Sequence, residues 1–426
     1  MHPSPPQVLR ALVLDGQYCH ALAAVRSLGR GDAVVAVASH KPHAQSFASR
    51  WCAEEHHCPD PNRERAAYVR WLVETLRRGR YDATLFFEEA TADILSAHHG
   101  TVRVHTGCPL PAREVFLTAS HKDRAARLAR QIGVPVPLTH ELPTLEDAER
   151  LAGRIDYPAV VKGVSSSGGQ QVAVAHDASR LVHEIRRITA LRRDSTLPLP
   201  VVQEFVPGQG YGLTALMRRG QPLATFMHRR LAEHDVSKGV QLAHGASGAE
   251  SVDEPALLEA GLSLLRALCW DGIAMVEFKR HARDGTFFFI EINPRFVGSL
   301  ELAIAAGVDL PWLYARLAAG HPVAGPTCYR IGLKYRWLLS KNVAEAFERP
   351  LGYALGVLAS VRPDTRSDIC LRDPRPHLNQ LRNAAWWIRQ HFRRRRSAAA
   401  DAPAPDAAPG GKQAEERRVD LTAPCR

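Results

Sequence analysis

Short apolar runs alternating with helix-length amphipathic stretches constrain this chain most. Residues 8–14 (VLRALVL) and 33–38 (AVVAVA) are compact and rich in Val, Leu and Ala. Between them lies a helical stretch, His20 to Leu28, closed by Gly29. A second helical stretch around Tyr68–Leu76 leads to a third apolar run, Ala83–Phe87. Strand–helix–strand order predicts a small parallel sheet flanked by helices, because parallel neighbours need a crossover. Such sheets place ligands at the C-terminal ends of their strands, where Asp15-Gly16 falls. No GxGxxG follows, so a dinucleotide site is not expected. Cys52, His56, His57 and Cys58 come after the second strand. No second ligand pair at zinc spacing accompanies them, so a surface loop is preferred to a metal site.

Pro109 and Pro111 punctuate the chain before a helix expected over Arg113–Ile132. Tyr157 to Lys162 reads as a strand entering a Gly/Ser-rich tip, Gly163 to Gly169, with a return strand over Gln171–Ala175. A helix over 178–192 precedes a strand at Val201–Val206, stopped by Pro207-Gly208. Strands at 212–217 and 222–228, a helix near 255–269, and strands Gly272–Lys279 and Thr286–Asn293 follow, with helix over 300–320.

The last two strands carry the most chemistry. If their turn is centred on Asp284, Glu277 and Glu291 face each other, and Asn293 and Arg295 continue the same face. Like charges opposite each other in a ladder are destabilising and invite a cation. Two carboxylates and an amide oxygen suit a hard dication whose shell phosphates complete. Arg295 is then placed for a phosphate or a developing anion. The alternative is an ordinary exposed hairpin face. Lys162 precedes a tip whose backbone N–H groups can fold over phosphates, although it is no Walker A loop. A flexible hairpin with a snorkelling lysine is the competing reading. Lys122, in Ser120-His121-Lys122-Asp123, says little alone. Gln203-Glu204-Phe205-Val206 could read an adenine through its backbone, with Glu204 accepting from the amino group.

Together these segments resemble the ATP-grasp superfamily over about residues 8–320. The likeness is nearest to the carbamoyl-phosphate-synthetase and biotin-carboxylase branch and its stand-alone carboxylate–amine ligases. Ser120 to Asp123, Val160 to Gly163, Ser165 to Gly169, Gln203 to Gly208, Met275 to Phe278 and Phe289 to Phe296 occur in family order. The resemblance implies an α/β and α+β chain. A Rossmann-like domain (1–112) would precede a two-subdomain ATP-grasp clamp, with a small subdomain (113–198) and a large one (199–325). Composition adds a basic helical extension (326–396) and a disordered tail (397–426) beyond the span of the resemblance. The resemblance assigns Lys122, Lys162, Ser165, Ser166, Ser167, Gly168 and Gly169 to ATP phosphates, and Glu204, Phe205 and Val206 to adenine. Glu277, Glu291 and Asn293 would hold Mg2+ or Mn2+, and Arg295 would face the acyl phosphate. Arg230 and Lys238 lie where related ligases present a mobile basic segment to substrate. The implied reaction joins a small-molecule carboxylate to an amine through an acyl phosphate and releases ADP. A nucleotide-binding scaffold without chemistry, or a bicarbonate-dependent carboxylase, are the alternatives. Glu88 and Glu89 are candidates for holding the amine. The phosphate loop departs from biotin carboxylases in carrying serines where they have glycines.

The 426 residues include 55 Lys and Arg against 44 Asp and Glu, a net charge of +11. The eight cysteines form no CxxC pair and suit a reducing compartment, the cytoplasm. No apolar run reaches the ~20 residues of a membrane span. Leu378, Leu381, Ala385, Ile388 and Phe392 make one helical stripe beside Trp386, Trp387, Arg382, Arg389 and Arg393 to Arg396. That composition suits packing on the body or lying on an anionic membrane at its inner face. Nucleic acid is disfavoured without a recognisable motif. Oligomeric state stays open, a homodimer among the alternatives.

Overall fold

The computed structural model describes residues 8–163, 172–192, 199–231, 248–340 and 360–383, with 351, 354, 357 and 358. The chain begins with β1 (Arg10–Val13), α1 (Cys19–Arg30), β2 (Val34–Ser39), β3 (Cys52–His57), α2 (Arg65–Gly79), β4 (Ala83–Leu85), α3 (Glu89–Ala97) and α4 (His99–Val102). These four strands form one parallel sheet ordered β3-β2-β1-β4. Leu12, Val13, Leu22, Val25, Leu28, Val37 and Phe86 are fully buried around it. The first helix runs through Gly29 to Arg30. A Cβ on Gly29 would lie 2.3 Å from the Trp51 ring, so this glycine serves close packing rather than termination.

The Cys52–Cys58 region is not a loop. It is the edge strand β3, whose charged and His-rich sequence hid it. Its side chains alternate and go to separate partners. The Cys52 thiol donates to the Glu54 carbonyl at 3.4 Å, while a His56 ring nitrogen lies 2.9 Å from the Tyr81 hydroxyl. Among the described residues no group of three His, Cys, Asp or Glu is placed to hold a metal.

Next come α5 (Arg113–Ser120), α6 (Lys122–Gln131), β5 (Thr139–His140), α7 (Leu145–Ala152), β6 (Ala159–Lys162), β7 (Val172–Ala175), α8 (Ala178–Ala190) and β8 (Val201–Glu204). The single helix expected over 113–132 is two, broken where His121 turns extended (φ −88°, ψ 115°). Lys122 thereby becomes the first residue of a helix. The four short strands form an antiparallel sheet ordered β5-β8-β6-β7, with α7 and α8 packed on its core. The strand at 201 ends at Glu204, two residues short of Val206.

The third sheet is built from β9 (Gly208–Arg218), β10 (Gln221–Arg230), β11 (Gly248–Ser251), β12 (Gly272–His281), β13 (Phe287–Asn293), β14 (Lys334–Arg336) and β15 (Thr365–Ser367). Its order is β13-β12-β9-β10-β11-β14-β15. Helices α9 (Pro255–Ala267), α10 (Leu300–Ala306) and α11 (Leu310–Ala318) accompany it. The helix expected over 300–320 also divides, at Gly307, whose φ of 105° favours glycine.

Residues 375–383 are helical, and Leu378 and Leu381 are exposed. The rest of the basic stripe, Ala385 to Arg396, lies outside the described residues. So do Ser165 to Gly169 and Lys238. No described helix is long and apolar enough to cross a membrane.

The C-terminal segment is clipped to the first sheet unit. Asp373 accepts from Arg26 Nε at 3.0 Å, Ser49 Oγ at 2.8 Å and the Arg50 backbone N–H at 2.9 Å. The Arg26 and Asp373 side chains are 7% and 1% exposed. Removing one partner of a buried pair strands the other, at about 3–5 kcal/mol. Asp373→Ala should therefore lower unfolding stability by about 3–5 kcal/mol in urea titrations. A loss below about 1 kcal/mol would show that Arg26 reaches water.

Candidate active site

The two central carboxylates owe their meeting to an irregularity. From the turn inward, β12 and β13 pair Arg280 with Phe287, Lys279 with Phe288 and Phe278 with Phe289. That register would set Glu277 against Ile290. Instead a bulge inserts Ile290, and Glu277 pairs with Glu291, Val276 with Ile292, and Met275 with Asn293. Strict alternation along FFFIEIN would put Phe287, Phe289, Glu291 and Asn293 on one face. The bulge reverses the parity between Phe289 and Glu291. Phe287, Phe289 and Ile292 can all enter the core while Glu291 and Asn293 turn to the other face.

Cations from other elements converge on this pair. Lys122 Nζ, at the start of α6, lies 3.3 Å from Glu291 Oε2. Arg230, the last residue of β10, contacts Glu277 Oε1 through Nη2. Asn293 Nδ2 donates to Glu291 Oε1 at 3.1 Å, and Asn293 Oδ1 accepts from Arg295 Nη2 at 3.2 Å. The expected metal ligands and basic groups thus form one network.

Lys162 joins it from the small sheet. Its ammonium donates to Gln203 Oε1 at 2.5 Å, and Gln203 is held in turn through Thr139 Oγ1 at 3.0 Å. Burial, with Lys122 nearby, pushes the Lys162 ammonium down to about 8, although Glu291 opposes this. Burial would raise the Glu291 carboxyl, but Lys122 and Lys162 outweigh it and hold the group below its usual value. Lys279 also acts on Lys162, while its ammonium donates to the Gly208 carbonyl at 3.0 Å. Lys279 and Gln203 were not singled out in the sequence. The signals were there: Lys279 is two residues from Glu277 on one strand, and Gln203 precedes Glu204. Lys122, Lys162, Lys279, Arg230 and Arg295 outnumber the two carboxylates, an excess that suits a polyanion.

Glu204 is exposed, and its Oε1 accepts from the Leu138 N–H at 3.0 Å. Phe205 and Val206 lie past the end of β8, in the short link to β9, rather than on a strand edge. Val206 is buried and Phe205 half-buried.

The C-terminal edge of the parallel sheet faces the same region. Asp15, buried, accepts from the Phe87 and Glu88 N–H groups at 2.8 and 2.9 Å and from Thr91 Oγ1 at 2.7 Å. These bonds pin the start of α3. Burial raises the Asp15 carboxyl despite them, and Arg295 is near enough to oppose the rise. The Phe87 ring stacks on Phe296 at 5.1 Å, next to Arg295. Glu88 is raised by burial and then by Asp15, and accepts from Asn62 Nδ2 at 2.6 Å. Glu89 follows as the first residue of α3.

A two-carboxylate, one-amide donor set beside a row of cations is chemically fitted to a dication bridging phosphates. Residues 197–340 match a family profile described as ATP-grasp in the biosynthetic pathway with Ter operon. The chain is 25% identical over 211 residues to the carbamoyl phosphate synthase large chain, N-terminal section, of Methanopyrus kandleri, covering 49% of this chain and 37% of that one. The match is less than half the length of the curated relatives. In fold, the chain resembles biotin carboxylase from Campylobacter jejuni, solved as a beta-gamma-ATP complex, with a TM-score of 0.62 at 15% identity over 77% of this chain and 74% of that one. It also resembles an L-amino acid ligase from Bacillus licheniformis, with a TM-score of 0.57 at 16% identity over 73% and 74%. Residues 197–340 thus match an ATP-grasp family, and about three quarters of the chain shares the fold of these solved structures.

Proposed function

We propose that the chain is an ATP- and Mg2+-dependent ligase that activates a small carboxylate and joins it to an amine. The observation that carries this is the Glu277–Glu291 rung, with Lys122, Lys162, Arg230 and Arg295 gathered around it from separate elements. Glu277, Glu291 and Asn293 would hold Mg2+, which supplies charge neutralisation at the phosphates. Lys122 and Lys162 hold the triphosphate, and the link around Glu204 to Val206 holds the adenine.

In the first step a carboxylate oxygen of the substrate attacks the γ-phosphorus. The bond to the bridging oxygen breaks, and ADP leaves with that electron pair. In the second step the amine nitrogen attacks the acyl carbon, the carbon–oxygen bond breaks, phosphate departs and the amine proton is released. Neither step needs a covalent enzyme nucleophile. Both need positioning and a preorganised positive field, and Arg295 supplies part of it beside the departing phosphate. The L-amino acid ligase likeness supports an amine as the acceptor, and the half-buried acidic edge around Glu88 is chemically compatible with one.

Glu291→Gln should lower ADP and phosphate release at least about 100-fold, the scale of losing one preorganised contact. Circular dichroism should stay unchanged, and release in the wild type should require both acid and amine. Undiminished release in the variant would refute the site. Binding of ATP with no release across a broad acid and amine panel would favour a scaffold instead.

The pH dependence has a definite sign. Only protonated Lys162 attracts phosphate, and in the free protein it titrates at about 8. ATP affinity should fall as pH rises through about 8. Above that value, binding should take up a proton, read by calorimetry in buffers of different ionisation enthalpy. Lys162→Arg, always charged, should flatten the profile. A profile that stays pH-dependent in the variant would move the titration to another group.

A further inference from the structure

We propose that Arg230 and Lys122 are internal counter-ions seated on the metal-ligand oxygens, so that a dication enters only by exchange with them and binds cooperatively with nucleotide. This rests on the ligase reading above and extends it to how the site is loaded.

Two carboxylates held on one rung repel and must be neutralised whenever the protein is folded. The donor atoms are engaged by the chain itself. Glu277 Oε1 contacts Arg230 Nη2. Glu291 Oε2 faces Lys122 Nζ at 3.3 Å, and its Oε1 takes the Asn293 amide at 3.1 Å. The Asn293 oxygen is taken by Arg295 at 3.2 Å. Arg230 and Lys122 come from different elements and reach inward on long side chains. Arg230 is also the final residue of its strand and 34% exposed. Such a side chain can swing while its backbone stays in the ladder.

A dication on Glu277 and Glu291 would repel both cations and leave two partly buried side chains without an anion. Phosphate oxygens are the anions that would receive them. Metal alone must therefore displace two favourable ion pairs. Metal with nucleotide exchanges each pair for another. By linkage, nucleotide strengthens metal binding by the same factor as metal strengthens nucleotide binding.

Mn2+ titration followed by electron paramagnetic resonance tests this on the full chain, with and without ADP. Arg230→Gln should raise Mn2+ affinity without ADP about fivefold or more and shrink the strengthening by ADP to a similar extent. Arg230→Lys should retain wild-type behaviour. Arg229→Gln removes a neighbouring charge that pairs instead with Glu250. It should leave Mn2+ affinity within about twofold, as a screened bystander charge does. Lys122→Gln carries the same expected rise as Arg230→Gln, should the latter not fold. Unchanged or weaker Mn2+ binding in the folded variants overturns the exchange, as does an equal rise in Arg229→Gln. No Mn2+ binding by the wild type even with ADP overturns the ligase reading itself; Mn2+ binding with ADP that ignores Arg230 and Lys122 overturns only the exchange.

Discussion

Two like charges on one rung of a ladder repel, and the structure around Glu277 and Glu291 is arranged to hold them there. The bulge at Ile290 aligns them. Without it, the same strand could not present Phe289 to the core and Glu291 to the opposite face. Local regularity is given up at one residue so that hydrophobic burial and acidic placement coexist.

Every group that compensates this repulsion comes from a different part of the chain. Lys122 begins a helix, Lys162 ends a strand of the small sheet, and Arg230 ends a strand of the large one. Arg295 follows β13 and lies within electrostatic reach of Asp15 on the parallel sheet. The site therefore gathers side chains from elements far apart in the chain, and its charge balance depends on how those elements pack. The Lys162 ammonium is lowered there, by burial first and by Lys122 second.

Much of this was legible in the residues. The parallel sheet followed from apolar runs, and the Glu277–Glu291 rung from the spacing about Asp284. The rung was reached through a simplified register, since the turn-side ladder is offset by one and only the bulge restores the pairing. The break at His121 was not legible, because nothing in SHKD forbids helix and tertiary packing decides it. The strand β3 was hidden because CAEEHH is an edge strand, half of which faces solvent. β11, β14 and β15 are three or four residues each, too short for a periodic signal. Ion pairs such as Arg230–Glu277 join residues far apart in sequence, and no local pattern announces them.

The Arg26–Asp373 clip has a consequence for biosynthesis. The partners are 347 residues apart. While the nascent chain emerges, the guanidinium of α1 has no carboxylate to meet, and the core around the first sheet still awaits residues as far along as Trp337. The contact forms only once synthesis has passed Asp373, so a product truncated before that residue would carry an orphaned cation on α1.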